Sequence, residues 1–223
     1  MRSDTVEDYL KNIYELQEKY GRAKTSTLSE RLGVTPGSVT EMLKRLAGQT
    51  PCLVRYQSHQ GVTLTQIGVR KALAVIRRHR LLETFLHDVL GFAWDEVHAE
   101  AEQLEHGLSE RLTEAIAAHL KHPTCDPHGD PIPTAEGEIQ VRAGASLNQL
   151  PAGQPLRITR VRLQDEEVLR YLAVNGLRIG ATVKIMEQSP LDGQISLQIR
   201  RGRKHLALSL GAAVAAAIEA EVT

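Results

Sequence analysis

The stretch TSTLSERLGVTPGSVTEMLKRLA, residues 25–47, confines the chain to a narrow set of folds. Thr25 or Ser26 can cap a short helix carrying Leu28 and Leu32, and Gly33 supplies the turn that ends it. Thr35 then caps a second helix, with Pro36 at its first position, where a missing amide hydrogen costs nothing. Val39, Leu43 and Leu46 form the buried side of that helix, with Met42 near them. Gly37, Ser38, Thr40, Glu41, Lys44 and Arg45 are left on the other side. Two short helices joined in this way predict a helix-turn-helix.

The flanking sequence sharpens that reading. Residues 4–20 form a first helix, with Val6, Tyr9, Leu10, Ile13, Tyr14 and Leu16 as its apolar stripe and Gly21 as its end. After the helix pair, residues 53–56 and 61–64 read as two short strands around a polar turn with Ser58 and His59, and Thr65 caps another helix. A hairpin there makes a wing, and a winged helix-turn-helix sets its second helix in the major groove with basic flanks against phosphates. Ser38, Thr40 and Glu41 are the candidates for base edges and Lys44, Arg45 and Arg55 for phosphates. Thr35, Pro36 and Gly37 form the helix start that enters with them.

Charge separates the chain into three parts that its net charge of zero conceals. Residues 1–80 carry fourteen Lys or Arg against seven Asp or Glu, residues 81–140 two against thirteen, and residues 141–223 eleven against seven. A basic first part suits a polyanion; an acidic middle holding six of the nine histidines suits a metal cation. The bland alternative for the first part, solvated residues on a small helical domain, explains neither the wing nor its excess of seven positive charges. With 223 residues the chain can hold one large or two modest domains. An aromatic content of 4% with one Trp argues against a carbohydrate binder or a base-stacking platform. Cys52 and Cys125 suggest no disulfide framework, so a reducing compartment is expected. The beginning lacks the basic-then-apolar order of a signal peptide and no long apolar run occurs, so the expectation is a cytoplasmic protein with no membrane partner.

Residues 66–90 predict a long helix, apolar at Val69, Leu73, Ile76, Leu82, Phe85, Leu86 and Val89, basic at Arg70, Lys71, Arg77, Arg78 and Arg80, and broken by Gly91. A further helix is expected from Trp94 to about Gly107. On it His98, Glu102, Glu105 and His106 follow at steps of 4, 3 and 1 and share one face, beside an apolar stripe of Val97, Ala101, Leu104 and Leu108. Ser109 can cap the next helix. Helices with two apolar edges beside a DNA-reading module are dimer material. A Pro- and Gly-punctuated loop at 122–133 holds Cys125, Asp126 and His128, and residues 134–150 read as linker. Alternating runs at 156–163, 181–188, 194–201 and 204–210, with a short helix at 166–175, predict a small β-barrel. The segment 211–222 is helix-prone.

Two donor groups stand out. Glu102, Glu105 and His106, closed by Asp8 from the first helix, make a set of three carboxylates and one imidazole that suits Mn(II) or Fe(II). The alternative is an acidic solvated face with Asp8 capping its helix. His79, Glu83 and His98 form a second, 2-His-1-carboxylate group, an arrangement also found in oxygen-activating iron enzymes. An enzyme reading competes on that ground, but no substrate cleft is marked and catalysis does not account for a helix-turn-helix.

VEDYLKNIYEL, the winged motif through LTQIG, RRHRLLETFLHDVLG, VHAEAEQLEHGLS and HGDPIP together give the chain, over nearly its whole length, a resemblance to the diphtheria toxin repressor family of iron- and manganese-dependent regulators. The resemblance implies a mainly α fold, with a winged helix-turn-helix DNA-binding domain at 1–72 and a helical metal-binding and dimerisation domain at 73–140. An SH3-like (FeoA-like) small β-barrel is implied at 150–223. It also implies a homodimer that binds palindromic operator DNA when loaded with divalent metal, usually repressing metal-uptake genes, with no small-molecule substrate beyond that metal. The family's primary site falls on Asp8, Glu102, Glu105 and His106. The iron-sensing branch has Met and Cys at the first two, so these carboxylates point to the manganese-responsive branch, with Fe(II) as the alternative. Lys11 stands where one member of that branch has another carboxylate. The ancillary site falls on His79, Glu83 and His98, with further ligands implied near Asp165 or Glu166 and in the loop, where Cys125, Asp126 and His128 stand for the usual Cys-Pro-His.

Overall fold

The computed structural model describes residues 3–140, 144–202 and 204–223. It divides into two compact units, one of Met1–His79 with Leu104–Leu108 and Pro133–Glu138, the other of Arg80–Gln103, Ser109–Ile132 and Ile139–Thr223.

The first unit is the predicted winged helix-turn-helix. Helices α1 (Ser3–Tyr20), α2 (Thr25–Leu32) and α3 (Pro36–Gly48) precede a hairpin of β1 (Val54–Gln57) and β2 (Gly61–Leu64), and α4 (Gln66–Asp88) begins there. Leu10, Ile13, Leu16, Leu28, Val39, Leu43 and Leu46 close the core among these helices. Thr35 accepts a hydrogen bond from the Ser38 amide, so α3 starts where its cap and proline place it. Helix α2 differs from expectation, since Thr25 is its first residue and extended Lys24 holds the cap position with no side-chain bond. Strand β1 begins one residue late because Leu53 is taken by the helices, its amide bonded to Leu46 O and its carbonyl to Thr65 N. Gly68 is what lets α4 pass this point: a Cβ there would sit 2.1 Å from Leu53 O. Gln17 of α1 accepts the Leu64 amide at 2.9 Å, fixing the wing to the first helix.

The predicted helix at 94–107 is shorter than expected. Trp94 to Glu96 form a turn, α5 is Val97–Leu104, and a 3-10 turn covers Glu105–Gly107. The expected seam also inverts at its end: Leu104 is 45% exposed and Glu105 fully buried. A face drawn with a 3.6-residue period does not extend into a 3-10 turn, which tightens the chain to about 3 residues per turn. Helix α6 (Glu110–His119) follows, with the Ser109 side chain capping it through the Leu112 amide.

In the second unit a sheet is ordered β3-β8-β4-β5-β6-β7. Its members are β3 (Ala145–Ser146), β4 (Pro155–Val161), β5 (Thr182–Gln188), β6 (Ile195–Arg201), β7 (Lys204–Leu210) and β8 (Ile218–Val222). Helices α7 (Glu166–Val174) and α8 (Ala212–Ala216) accompany it, and Leu156, Ile158, Leu169, Leu172, Ile185, Leu197 and Ile218 lie in its core. Strand β3 lies where a linker was expected. The helix-prone end of the chain keeps only α8 before becoming β8, which pairs with both β3 and β4. Its alternation explains this: Ile218 and Ala220 are buried while Glu219 and Glu221 are not, so period two overrides alanine's helix preference. Among the described residues no helix is long and apolar enough to cross a membrane.

Candidate metal centre

Within the first unit, α1 supplies Glu7, Asp8 and Lys11, the 3-10 turn supplies Glu105 and His106, and α4 supplies Arg78 and His79. The His106 ring bridges two acids, with Nδ1 2.8 Å from Glu7 and Nε2 2.9 Å from Asp8. Glu105 spends both oxygens, Oε1 on Lys11 Nζ at 2.8 Å and Oε2 on His79 Nδ1 at 2.6 Å. Glu7 also accepts from Arg78 at 2.7 Å. Donor atoms of Asp8, Glu105 and His106 all lie within 4.8 Å of one another.

The electrostatics follow from burial and partners. Desolvation raises the Asp8 carboxyl above its usual range, only partly opposed by His106 and Lys11. Burial would also raise Glu105, but the hydrogen bond and charge of His79, with Lys11, outweigh it and lower that carboxyl. For His106 burial opposes charging, yet Glu7, Asp8 and Glu105 together raise the imidazole above its usual value. A carboxylate at each ring nitrogen makes both nitrogens donors in this form. Two carboxylates and an imidazole, with no sulfur among them, fit a divalent ion of the Mn(II) or Fe(II) type.

Glu102, expected in this group, falls in the second unit, where its carboxylate is 3.7 Å from His98 Nε2. The expected ancillary group is likewise divided between the units, with His79 bonded to Glu105 in the first. In the second unit His98 Nδ1 donates to Glu83 at 3.1 Å, and donor atoms of Glu83, Asp126 and His128, all buried, lie within 4.8 Å of one another. His128 Nε2 is 2.9 Å from the Trp94 carbonyl, which can only accept, so that nitrogen carries the proton. Desolvation lowers the His128 pKa against the pull of Glu83, leaving a neutral ring with the Nδ1 lone pair 4.0 Å from Glu83. Asp126 is pushed well above the carboxylate range by burial and then by Glu83 and Asp130, Arg80 opposing. Cys125 bridges its backbone to Pro131 and is not among these donors, while Asp165 is exposed as the cap of α7 and Glu166 is exposed in its first turn.

Of the residues expected to meet nucleic acid, Thr35, Pro36, Gly37, Ser38, Glu41, Lys44, Arg45 and, on β1, Arg55 are exposed. Thr40 is half-buried and donates its hydroxyl to Pro36 O at 2.9 Å. Sequence reasoning did not place Glu7 or Arg78 at the metal centre, and met Lys11 there only through the resemblance, at a place where one member has another carboxylate. Glu7 and Asp8 are about 100° apart on a helix, so spacing alone does not bring both to one imidazole; the adjacent acid pair was the available signal.

A DNA-reading winged helix-turn-helix whose chain also gathers buried acids and imidazoles defines a class, the metal-responsive transcriptional regulators. Residues 1–62 match the iron-dependent repressor N-terminal DNA-binding domain, residues 65–134 the iron-dependent repressor metal-binding and dimerisation domain, and residues 145–222 the FeoA domain. The iron-dependent repressor IdeR of Mycobacterium tuberculosis is 37% identical over 172 residues, 74% of either chain. Among solved structures, a manganese-dependent transcriptional repressor in complex with manganese is 40% identical with a TM-score of 0.89, covering 98% of this chain and all of that one. The repressor ScaR with bound Cd2+ is 31% identical with a TM-score of 0.82, covering 98% of this chain and 99% of that one.

The chain belongs to the diphtheria toxin repressor and IdeR family. It is a metal-dependent, DNA-binding transcriptional regulator and not an enzyme.

Proposed function

We propose that this regulator is activated for operator binding by Mn(II), acting as a repressor of metal-uptake genes, with Fe(II) as the second candidate ion. The observation that carries the choice is the sulfur-free donor set of Asp8, Glu105 and His106. Glu102, three residues before Glu105, is assigned as a further donor of this site. Asp8 belongs to the helix that leads into the reading motif, so joining it to Glu105 and His106 ties the reading domain to the dimerisation helices. A divalent ion there supplies the positive charge that these three side chains share. The ordered dimer then presents two α3 helices at the spacing of a palindromic operator. Ser38, Thr40 and Glu41 meet the bases, carried in by the helix start Thr35, Pro36 and Gly37, and Lys44, Arg45 and Arg55 meet the phosphates.

Glu83, His98, Asp126 and His128, with His79 and Cys125 nearby in the sequence pattern and Asp165 or Glu166 from the last domain, are assigned to an ancillary metal site. The domain division proposed is 1–72, 73–140 and 150–223, with the six-stranded sheet closing as an SH3-like barrel. The test is fluorescence anisotropy of a labelled duplex from the gene's own upstream region, with metal-stripped protein in Mn(II), anaerobic Fe(II), Zn(II) and chelator. Tight binding in Mn(II) that chelator abolishes is expected. Equal binding in all four would refute metal activation, and binding in Fe(II) alone would select the second ion.

A further inference from the structure

Lys11 is an unusual neighbour for a cation site. It is 6% exposed, and its ammonium lies 2.8 Å from an oxygen of the fully buried Glu105. A carboxylate so buried is costly unless a cation accompanies it. Its two oxygens are already divided, and the one that Lys11 holds, Oε1, is also the one that faces His106 Nε2, at 3.6 Å. The oxygen a metal would have to take is therefore the oxygen an ammonium already occupies.

We infer that Lys11 is a resident counter-cation, so that loading this site is an exchange of ammonium for metal on Glu105 and Lys11 sets the metal level at which it occurs. The inference rests on Asp8, Glu105 and His106 being a metal site. With Lys11 in place the empty site is neutralised and Glu105 stays ordered beside His79. When metal binds, the ammonium must leave that oxygen, and as a displaced like charge it still repels the ion; both reduce the net gain. Removing the Lys11 charge therefore strengthens binding twice over, by raising the free energy of the empty site and by removing repulsion from the loaded one. A lysine that merely props Glu105 in position predicts the opposite sign.

The test is a Mn(II) titration of metal-stripped full-length protein, with free Mn(II) read by electron paramagnetic resonance. It is carried out in a Glu83→Gln background that removes a carboxylate of the second cluster. Lys11→Gln and Lys11→Met are expected to bind Mn(II) about tenfold or more tightly, the scale by which a neighbouring charge shifts a carboxylate equilibrium. Lys11→Arg, which keeps the charge, should stay near the parent. Unchanged or weaker binding in the neutral variants overturns the exchange while leaving the metal site standing. A parent protein that takes up no Mn(II) removes the site and the inference together. Should the neutral variants melt early in chelator, the unmodified protein gives the same answer through the rate of reductive methylation at Lys11. Exchange requires faster labelling with Mn(II) bound, and an unchanged rate overturns it.

Discussion

The Nδ1 nitrogen of His106 lies 2.8 Å from the Oε2 oxygen of Glu7. That contact leaves Nε2 directed at Asp8, so Glu7 fixes the ring for the nitrogen that faces the donor set. Carboxylates behind metal-binding imidazoles orient the ring and raise its basicity.

Glu7→Ala should therefore weaken Mn(II) binding although Glu7 lies outside the proposed donors. The expected loss is about ten- to a hundredfold, the usual cost of removing such a partner. Calorimetric titration of the stripped protein checks it. An affinity equal to the parent's would show that the 3-10 turn alone holds the ring.

Protons should compete with metal at the same atoms. The His106 and Asp8 pKa values are both raised, so each keeps its proton to a higher pH than an isolated side chain. Mn(II) affinity should fall from pH 7.5 to 5.5, and near neutrality binding should release a proton, measurable by calorimetry in buffers of different ionisation enthalpy. Stability of the metal-free protein carries the opposite sign for His106. Its raised pKa contributes stability that is complete below the unfolded value and lost as pH rises through the folded one. A flat Mn(II) affinity over this range at constant salt would contradict the assignment of His106.

Lys44 is exposed on α3, one turn past Thr40. As a phosphate contact its loss should weaken all sequences alike. In anisotropy titrations over a range of salt concentrations, Lys44→Ala should reduce the slope of log affinity against log salt by about 1 per site, with operator preference kept. Glu41→Ala should instead change preference among operator variants. An unchanged slope for Lys44→Ala would take it off the phosphates.

Leu43 is fully buried in the core of the first unit. Truncation to Ala should cost about 2–5 kcal/mol. Because the chain forms two compact units, denaturant unfolding should be followed with separate probes, and the loss should appear in the transition of the helix-turn-helix.

Much of this was legible in the order of residues. Thr35 and Pro36 set the start of α3, Gly21 and Gly33 the ends of their helices, and the alternating runs the strands of the last sheet. What escaped depended on contacts rather than periods. The buried Glu105 beside exposed Leu104 came from a 3-10 turn that a helical wheel cannot represent. Lys11 entered the sequence reading of the site only through the resemblance, because its contact is with Glu105, 94 positions away. Strand β8 is a partial exception: its short alternation of Ile218 and Ala220 with Glu219 and Glu221 was present but masked by the preceding alanines, and its partner, β4, lies some 60 residues earlier.

That last pairing bears on how quickly the second unit reaches its final form. Strands β5, β6 and β7 are successive antiparallel neighbours and can zip locally. The seam between Leu156 and Val222, by contrast, must wait for a long loop of intervening chain to close. Loop closure is an entropic search whose cost precedes its reward. The meander is thus ready early, while β4 keeps one edge unsatisfied until β8 arrives, and in that interval the half-built sheet is most open to pairing with another molecule.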